Sequence, residues 1–217
     1  MPREPERRGQ RGEGAVPVGG EALRTFFALE LCEEAREAAF DLIRELRGRP
    51  RGDLVRWVRA ETLHVTLRFL GRTARGQVPG LLQHITSQLA AVPPFLLELG
   101  ALKAFPSPRN ARVVALDLEP EAPVLNLARA VDAGVVAAGF APEPRRFRGH
   151  VTLGRAQSTG RTREGRIPSL EGLEPRSTAP FSVREVVLFE STLSAQGSIY
   201  TALQRIALGC KAADAAS

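Results

Sequence analysis

Two short stretches of the sequence contain side chains that could transfer protons to and from a bound molecule. The tetrapeptide His-Val-Thr-Leu occupies residues 64–67 and occurs again at residues 150–153, 86 residues later. Alternation along a β-strand puts each histidine and the threonine two positions on at one face, with the aliphatic residues behind. An imidazole with an unperturbed pKa of about 6.5 can give or take a proton near neutral pH. A threonine hydroxyl beside it can hold an oxygen of a phosphate group.

A single histidine on a strand has an ordinary structural interpretation, because core strands carry satisfied histidines by chance. Two copies of the motif favour a chemical role for both histidines. If His64 and His150 face each other, one ring can be neutral while the other is protonated. Such a pair suits in-line displacement at phosphorus, where one ring takes a proton from the nucleophile and the other protonates the leaving oxygen. Thr66 and Thr152 would then hold the non-bridging oxygens and align the phosphate.

The motif belongs to a longer internal repeat. Upstream of it, Ala-Leu-Glu-Leu at 28–31 is echoed by Ala-Leu-Asp-Leu at 115–118, an offset of 87 residues. Downstream, Pro-Phe at 94–95 is echoed by Pro-Phe at 180–181, an offset of 86 residues. Three landmarks in one order, at offsets of 86 or 87 residues, indicate two copies of one unit.

Each copy, in repeats of about 24–105 and 111–208, is predicted to contain a strand, a helix, the motif strand and a strand opened by Pro-Phe. Between the last two strands the first copy has a further helix, whereas the second copy has a long loop at 155–179. Periodic hydrophobic residues predict helices at about 32–47, 76–91 and 121–139. Further strands are expected at about 54–58, 185–190 and 199–207. The predicted fold is α+β, with two pseudo-symmetric lobes from an internal duplication. A pseudo-twofold axis near the motif strands would turn both His-Thr faces toward one cleft.

The ends of the chain and its composition exclude several classes of protein. Residues 1–21 are rich in Pro, Gly, Arg and Glu, so we expect a disordered tail there and a second tail at 209–217. Residues 22–208 form one bilobal domain. No run of 18 apolar residues exists, so we expect no membrane partner. Cys32 and Cys210 are too few for a disulfide framework and lack metal-ligand spacing, which favours a reducing, cytoplasmic location.

Positive charge is concentrated near the second motif. The chain has a formal net charge of +6, to which residues 1–21 contribute nothing because they hold four Arg and four Glu. Residues 143–166 contain seven arginines against two glutamates, which predicts a patch that favours phosphate ligands. The seven are Arg145, Arg146, Arg148, Arg155, Arg161, Arg163 and Arg166.

A few residues outside the motifs are further candidates. Arg155 follows the second motif and could clamp a phosphate bidentately, and Arg68, on the predicted His64 face, is a weaker candidate for the same role. Phe147 and Tyr200 could stack on a nucleobase, although packing explains them as well.

At these residues the sequence resembles a known family. A His-hydrophobic-Thr-hydrophobic motif that occurs twice at this separation is the signature of the 2H phosphoesterase superfamily. More closely, the chain resembles the bacterial and archaeal RNA 2′,3′-cyclic phosphodiesterases, once named 2′-5′ RNA ligases, over about residues 24–208. The matching segments are RTFFALEL, RWVRAETLHVTLRFLG, GALKAFPSPRNARVVALDL, RRFRGHVTLGRA and VVLFESTL.

The resemblance implies both a fold and an activity. The fold would be α+β, with antiparallel sheets that line a central groove and helices outside. The activity would be hydrolysis of an RNA terminal 2′,3′-cyclic phosphate to a 2′-phosphate by two-histidine acid–base catalysis, with no metal and no cofactor. His64 would be the proton donor, His150 the proton acceptor, and Thr66 and Thr152 would bind phosphate. RNA 3′ ends or cyclic nucleotides would be the partners of a protein that we expect to be a monomer, because the duplication already supplies internal symmetry.

Three alternatives stay open. A nucleotide- or RNA-binding module would keep the cleft without turnover, although binding alone would not need paired proton carriers. A metal or serine hydrolase is disfavoured, because the three histidines lack ligand spacing and no G-x-S-x-G elbow is present. Joining RNA ends through a 2′-5′ bond is the reverse chemistry, and water at ~55 M favours hydrolysis unless the cleft excludes water.

Overall fold

A computed structural model describes residues 22–107, 111–157, 167–194 and 197–209. Several sequence predictions lie outside these described residues: the tail at 1–21, the tail at 209–217 except for Gly209, Arg161, Arg163, Arg166 and Cys210. No helix in the described ranges is long and apolar enough to cross a membrane.

Hydrophobic periodicity correctly predicts the positions of the helices to within a few residues. The helices are α1 (Glu33–Gly48), α2 (Val78–Leu89) and α3 (Glu121–Ala137). The strands of the described ranges are β1 (Ala22–Glu30), β2 (Val55–Trp57), β3 (His64–Ala74), β4 (Phe95–Phe105), β5 (Val113–Glu119), β6 (His150–Ala156), β7 (Phe181–Val183), β8 (Glu185–Ser194) and β9 (Gly197–Ala207). The predicted α+β class is confirmed.

The strands form one connected antiparallel sheet, which corrects the expectation of separate sheets. The order is β7-β4-β5-β6-β3-β1-β8-β9, with β2 beside β6. The two halves of the sheet join because Val65 of β3 pairs with Val151 of β6. The whole sheet curls into a half-barrel with three helices. Both motifs therefore lie on its two central strands.

Each half of the sheet contains strands from both sequence repeats. β4 of the first repeat pairs with β5 of the second, and β8 of the second repeat pairs with β1 of the first. The helices cross over as well, since α1 contacts β6 and α3 contacts β3. The two repeats are therefore interlocked, and each half of the sheet is built from both.

Strand alternation gives the sheet two different faces. Phe27 and Leu29 of β1 belong to the large core that includes the buried residues of all three helices. Phe26 and Ala28 belong to a separate, smaller cluster on the opposite side. The ring of Phe26 lies 5.1 Å from that of His64. We call the two sides the helix face and the groove face, and the motif histidines lie on the groove face.

Both motif strands contain a β-bulge at the same place. Thr66 and Arg68 of β3 lie opposite consecutive residues of β1, so that Leu67 is an inserted residue. Leu153 is inserted in the same way where β6 pairs with β5. An inserted residue reverses the alternation of the strand, so each residue after the bulge changes face.

Candidate active site

The pairing of β3 with β6 brings the two motifs together. Their valines are directly opposite each other, and the register continued by one residue in each direction puts the histidine of each motif opposite the threonine of the other. Four predicted side chains, His64, Thr66, His150 and Thr152, thus surround one point. In such a lattice opposite residues are about 4.5–5.5 Å apart and diagonal ones about 7–8 Å. The space between the two imidazoles suits a phosphate group.

Both imidazoles are oriented by the backbone two residues earlier. Nδ1 of His64 is 2.7 Å from the carbonyl oxygen of Thr62, and Nδ1 of His150 is 2.8 Å from that of Arg148. Because a carbonyl oxygen only accepts, the proton of each neutral ring is assigned to Nδ1, and Nε2 remains for chemistry. Nε2 of His64 lies 2.9 Å from the hydroxyl of Thr66, which donates to it when the ring is neutral.

His64 lies in the more enclosed half of the site. Its ring packs against Phe26 and, edge-on at a centroid distance of 5.2 Å, against Tyr200. Burial lowers the pKa of this imidazole below its usual value, and the positive charges of His150 and Arg155 act in the same direction. At pH 7 His64 is therefore neutral unless an anion binds beside it.

His150 lies in the more open half, beside an aromatic ring and an ion pair. Its ring centroid is 5.8 Å from that of Phe105, and the guanidinium of Arg148 lies over the same phenyl ring at 4.2 Å. Asp117 of β5 is directly opposite His150. Its carboxylate is 3.7 Å from Arg148 and 4.0 Å from Lys103.

A carboxylate occupies the equivalent position beside the first histidine. Glu30 of β1 lies opposite His64, and Arg205 binds it with a shortest separation of 2.6 Å. Each carboxylate is thus neutralised by a cation, while each Nδ1 is bound by a carbonyl. Neither acid therefore forms a carboxylate–histidine pair of the kind that activates a serine nucleophile.

The bulge buries Arg68 in the wall of the groove, where Glu143 also lies. This side chain is only 9% exposed, and it forms ion pairs with Asp132 of α3 at 2.8 Å and with Glu143 at 2.9 Å. The predicted place of Arg68 on the His64 face is wrong, because the inserted Leu67 reverses the alternation of the strand. Arg68 instead ties β3 to α3 and to the segment that leads into the second motif.

The residues that follow in each strand reach the groove face instead. Phe69 and Arg155 hold equivalent positions, two residues after the inserted leucines, and both are exposed. Phe69 is 52% exposed, and its ring is 5.7 Å from that of Phe26. The guanidinium of Arg155 has no hydrogen-bond or ion-pair partner within the part of the chain that the structure describes. It is therefore available for an anion.

A groove of about 370 Å³ runs along this face and is lined by Thr66 of the first motif and by His150 and Thr152 of the second. Phe147 lines its wall but also packs against the core, and Tyr200 contacts His64 rather than standing free. Of the arginines in the basic cluster, Arg145 is bound to Glu143 at 2.8 Å. The groove is thus walled by aromatic rings and guanidinium groups, which suits a phosphorylated nucleoside.

The described residues contain no group of three His, Cys, Asp or Glu side chains that could hold a metal ion. Metal independence stays a prediction, to be tested with a chelator. His84 lies on α2, outside the groove. Cys32 is half-buried and caps α1, since its Sγ accepts a hydrogen bond from the Ala35 N–H at 3.4 Å.

Sequence reasoning missed Phe69 and Phe105 as groove residues and gave Arg148 no role beyond the basic cluster. One feature of the sequence does point to Phe69. The repeat offset of 86 aligns Phe69 with Arg155, which was already a candidate. No such signal points to Phe105, because its position depends on the pairing of β4 with a strand from the other repeat.

The fold and the site together define a class of protein: an α+β half-barrel whose two central strands each present a His-x-Thr pair to one groove. The chain belongs to the 2′-5′ RNA ligase superfamily, whose family model matches residues 33–194.

Two relatives and one solved structure illustrate the similarity. The RNA 2′,3′-cyclic phosphodiesterase of Methanothermobacter thermautotrophicus is 30% identical over 182 residues, which cover 84% of this chain and 97% of that protein. The enzyme of the same name from Archaeoglobus fulgidus is 27% identical over 182 residues, covering 84% and 98%. The crystal structure of E. coli LigT complexed with 3′-AMP superposes with a TM-score of 0.70 at 28% identity, covering 87% of this chain and 99% of that one.

Proposed function

We propose that this protein hydrolyses the 2′,3′-cyclic phosphate at the 3′ end of RNA to a 2′-phosphate, without a metal ion or other cofactor. The observation that carries the proposal is the pairing of Val65 with Val151. This register turns two ambiguous strand histidines into a pair that faces one groove, with a threonine hydroxyl opposite each. The names of the relatives support the substrate class.

The reaction needs one proton to be taken and one to be given. Water attacks phosphorus in line with the bond to O3′, and Nε2 of His150 takes a proton from the attacking water. The P–O3′ bond breaks, and Nε2 of His64 protonates the departing O3′. The products are a 2′-phosphate and a 3′-hydroxyl. Thr66 and Thr152 hold the non-bridging oxygens, and Arg155 stabilises the charge on them.

The assignment of donor and acceptor follows the family resemblance, and the environment of His64 adds a condition to it. Its lowered pKa means that the ligand-free imidazole is neutral and cannot yet donate. A bound cyclic phosphate carries a negative charge, and an opposite charge at close range raises the pKa of a histidine. His64 therefore becomes a proton donor only when the substrate is in place.

The nature of the groove supports an RNA end or a cyclic nucleotide as the ligand. Phe69 and Phe105 offer exposed or partly exposed rings for a base, while the arginines attract phosphate. Crystal structures of E. coli LigT were obtained in complexes with 3′-AMP, phosphate and ATP.

The proposal includes an internal duplication and a monomeric state. The matching bulges at Leu67 and Leu153 support descent of both halves from one unit, with two pseudo-symmetric lobes. Because the duplication supplies within one chain the symmetry of a homodimer, we expect a monomer of 23.5 kDa. Light scattering would contradict this if it gave twice that mass.

The direct experiment uses a short RNA that ends in a 2′,3′-cyclic phosphate, incubated with the protein in the presence of EDTA. Phosphorus NMR distinguishes the possible products. We expect a 2′-phosphate at a rate that EDTA does not change. A 3′-phosphate product, or loss of activity with EDTA, would contradict the mechanism. Tight binding without turnover would indicate a binding module, and a 2′-5′ bond formed with an added 5′-hydroxyl RNA would indicate a ligase.

A further inference from the structure

The pairing of β1 with β3 arranges directly opposite residues in a series along the groove face. Four such pairs follow one another: Glu30 with His64, Ala28 with Thr66, Phe26 with Phe69, and Arg24 with Arg72. Because the side chains of one face recur at every second residue of β1, neighbouring pairs are about 7 Å apart. The series therefore leads from the first motif, across two aromatic rings, to two arginines.

Burial places Arg24 and Arg72, which we call the arginine pair, on the groove face. Both are exposed, whereas the next residue of each strand, Thr25 and Thr73, is buried. The hydroxyls of these threonines are 2.8 Å apart and share a hydrogen bond. Thr25 alternates with Phe27 of the large core, so both threonines face the helix side. The arginine pair therefore projects to the opposite side, toward the groove.

The arginine pair is a concentration of uncompensated positive charge. Within the part of the chain that the structure describes, neither guanidinium has a hydrogen-bond or ion-pair partner. Like charges directly opposite each other on a sheet are destabilising. An anion bound between the two groups would remove that repulsion, and the fork of each guanidinium suits the oxygens of a phosphate.

The two ends of the groove differ in how they are covered. At one end Tyr200 of β9 packs on His64, and Arg59 holds the start of the same strand, because its Nη2 donates to the carbonyl oxygen of Ser198 at 3.1 Å. At the other end the groove is lined by Phe69, the last residue before the arginine pair on this face. A strand attached to a phosphate at the motifs therefore has an open path past Phe69.

We propose that the arginine pair binds a phosphodiester of the RNA strand upstream of its cyclic end, while an intervening base stacks on Phe69. This inference rests on the proposed function, because it takes the cyclic phosphate to lie between the two His-Thr pairs. Along β1, Arg24 is four residues from Ala28, the partner of Thr66, which corresponds to about 13 Å of strand. One or two nucleotides span this distance. The preferred substrate is therefore an oligonucleotide rather than a cyclic mononucleotide.

The experiment measures kcat/KM on 2′,3′-cyclic AMP and on oligoadenylates of two, three and four nucleotides with the same cyclic end and a 5′-hydroxyl. For wild type we expect an increase once the strand supplies the phosphodiester that reaches the arginine pair. R24Q and R72Q should each lose about 10- to 100-fold on the tetranucleotide, the effect of one charge-assisted hydrogen bond, and match wild type on cyclic AMP. The control is R47Q, which removes an exposed arginine of α1 and should match wild type on every substrate.

A neutral linkage in the substrate locates the contact. Each phosphodiester of the tetranucleotide is replaced in turn by a methylphosphonate. In wild type, the replacement at the first or second linkage from the cyclic end should cost as much as R24Q does, and R24Q should lose nothing further from it. The slope of log KM against log salt should fall by about 0.7 in R24Q, as expected for one phosphate of a single strand. R24K should retain part of the activity, because it keeps the charge and loses the fork.

The outcomes separate this inference from the proposed function. If wild type hydrolyses all four substrates but R24Q and R72Q affect them alike, or affect none, the upstream site is refuted while the function stands. Equal losses for every neutral linkage would refute the site as well. If wild type hydrolyses nothing, the proposed function fails, and calorimetry still tests the site. R24Q should then weaken binding of tetra-adenylate with a 3′-phosphate but not of 3′-AMP, and unchanged affinity for both would refute the site.

Discussion

The two ends of the groove contain the same four-residue motif, His-Val-Thr-Leu, in different surroundings. His64 is enclosed by Phe26 and Tyr200, and burial lowers its pKa. His150 faces one ring, Phe105, and lies among charged side chains. The motif is thus symmetric, while its environment is not. The difference arises from the neighbouring strands, and it shows how a repeated motif can occupy two chemical environments without any change in its own sequence.

The second difference between the two ends lies just after the bulges. The first strand continues with Arg68 and Phe69, the second with Gly154 and Arg155. On one side a buried arginine supports the structure and an aromatic ring faces the groove. On the other side a glycine lets Trp57 pack closely, and the arginine itself faces the groove. An arginine in one half is therefore structural, and an arginine in the other is exposed in the groove.

The largest expected effect tests this second difference. Arg68→Leu leaves the carboxylates of Asp132 and Glu143 without their shared cation, and we expect a loss of about 3–5 kcal/mol in the free energy of unfolding. Arg155→Gln removes an exposed side chain without a described partner, and its effect should stay within about 0.5 kcal/mol. Urea unfolding measures both. Equal destabilisation by the two substitutions would contradict the distinction.

A second prediction compares the two threonines and expects a smaller effect. Replacing either Thr66 or Thr152 by valine keeps the shape and removes a donor to the phosphate, which should lower kcat/KM by about 10- to 100-fold. Thr66→Val also removes the hydroxyl that lies 2.9 Å from Nε2 of His64. Only Thr66→Val should therefore shift the pH dependence of kcat/KM. Thr201→Val, at an exposed position of β9, is the control. If Thr66→Val or Thr152→Val keeps its activity within twofold of wild type, the threonine replaced in that variant does not bind the phosphate.

The repeat explains why so much of the fold could be predicted from the sequence. The three helices have clear 3.6-residue periodicity. The two His-Val-Thr-Leu strands could be recognised because the same four residues occur twice in the sequence. The exchange of β4 and β8 between the repeats could not be predicted, because strand pairing is a long-range choice that leaves no local signal. The bulge was hidden for a similar reason. Val65, Leu67 and Phe69 alternate regularly in sequence, and only the pairing with β1 reveals Leu67 as an inserted residue.

The smallest effect concerns the pH dependence of stability. The pKa of His64 is lowered in the folded state, whereas the unfolded chain titrates near its ordinary value of about 6.5. Between these values the unfolded state binds more protons, so the free energy of unfolding rises with pH, and this contribution is lost as the pH falls. Wild type should therefore lose more in Tm than His64→Gln between about pH 7 and pH 5. Parallel curves for the two proteins would show that the pKa of His64 is not lowered.

The central claim, that the two histidines act as one acid–base pair, is tested most directly by a double-mutant cycle. His64→Gln, His150→Gln and the double variant would be compared with wild type on an RNA with a 2′,3′-cyclic end, and their folding checked by Tm. We predict that each single substitution lowers kcat by about 10²–10⁴-fold and that the double variant is scarcely slower than the worse single one, because the groups work as a unit. Full activity in either single variant, or losses that simply multiply in the double variant, would contradict the claim.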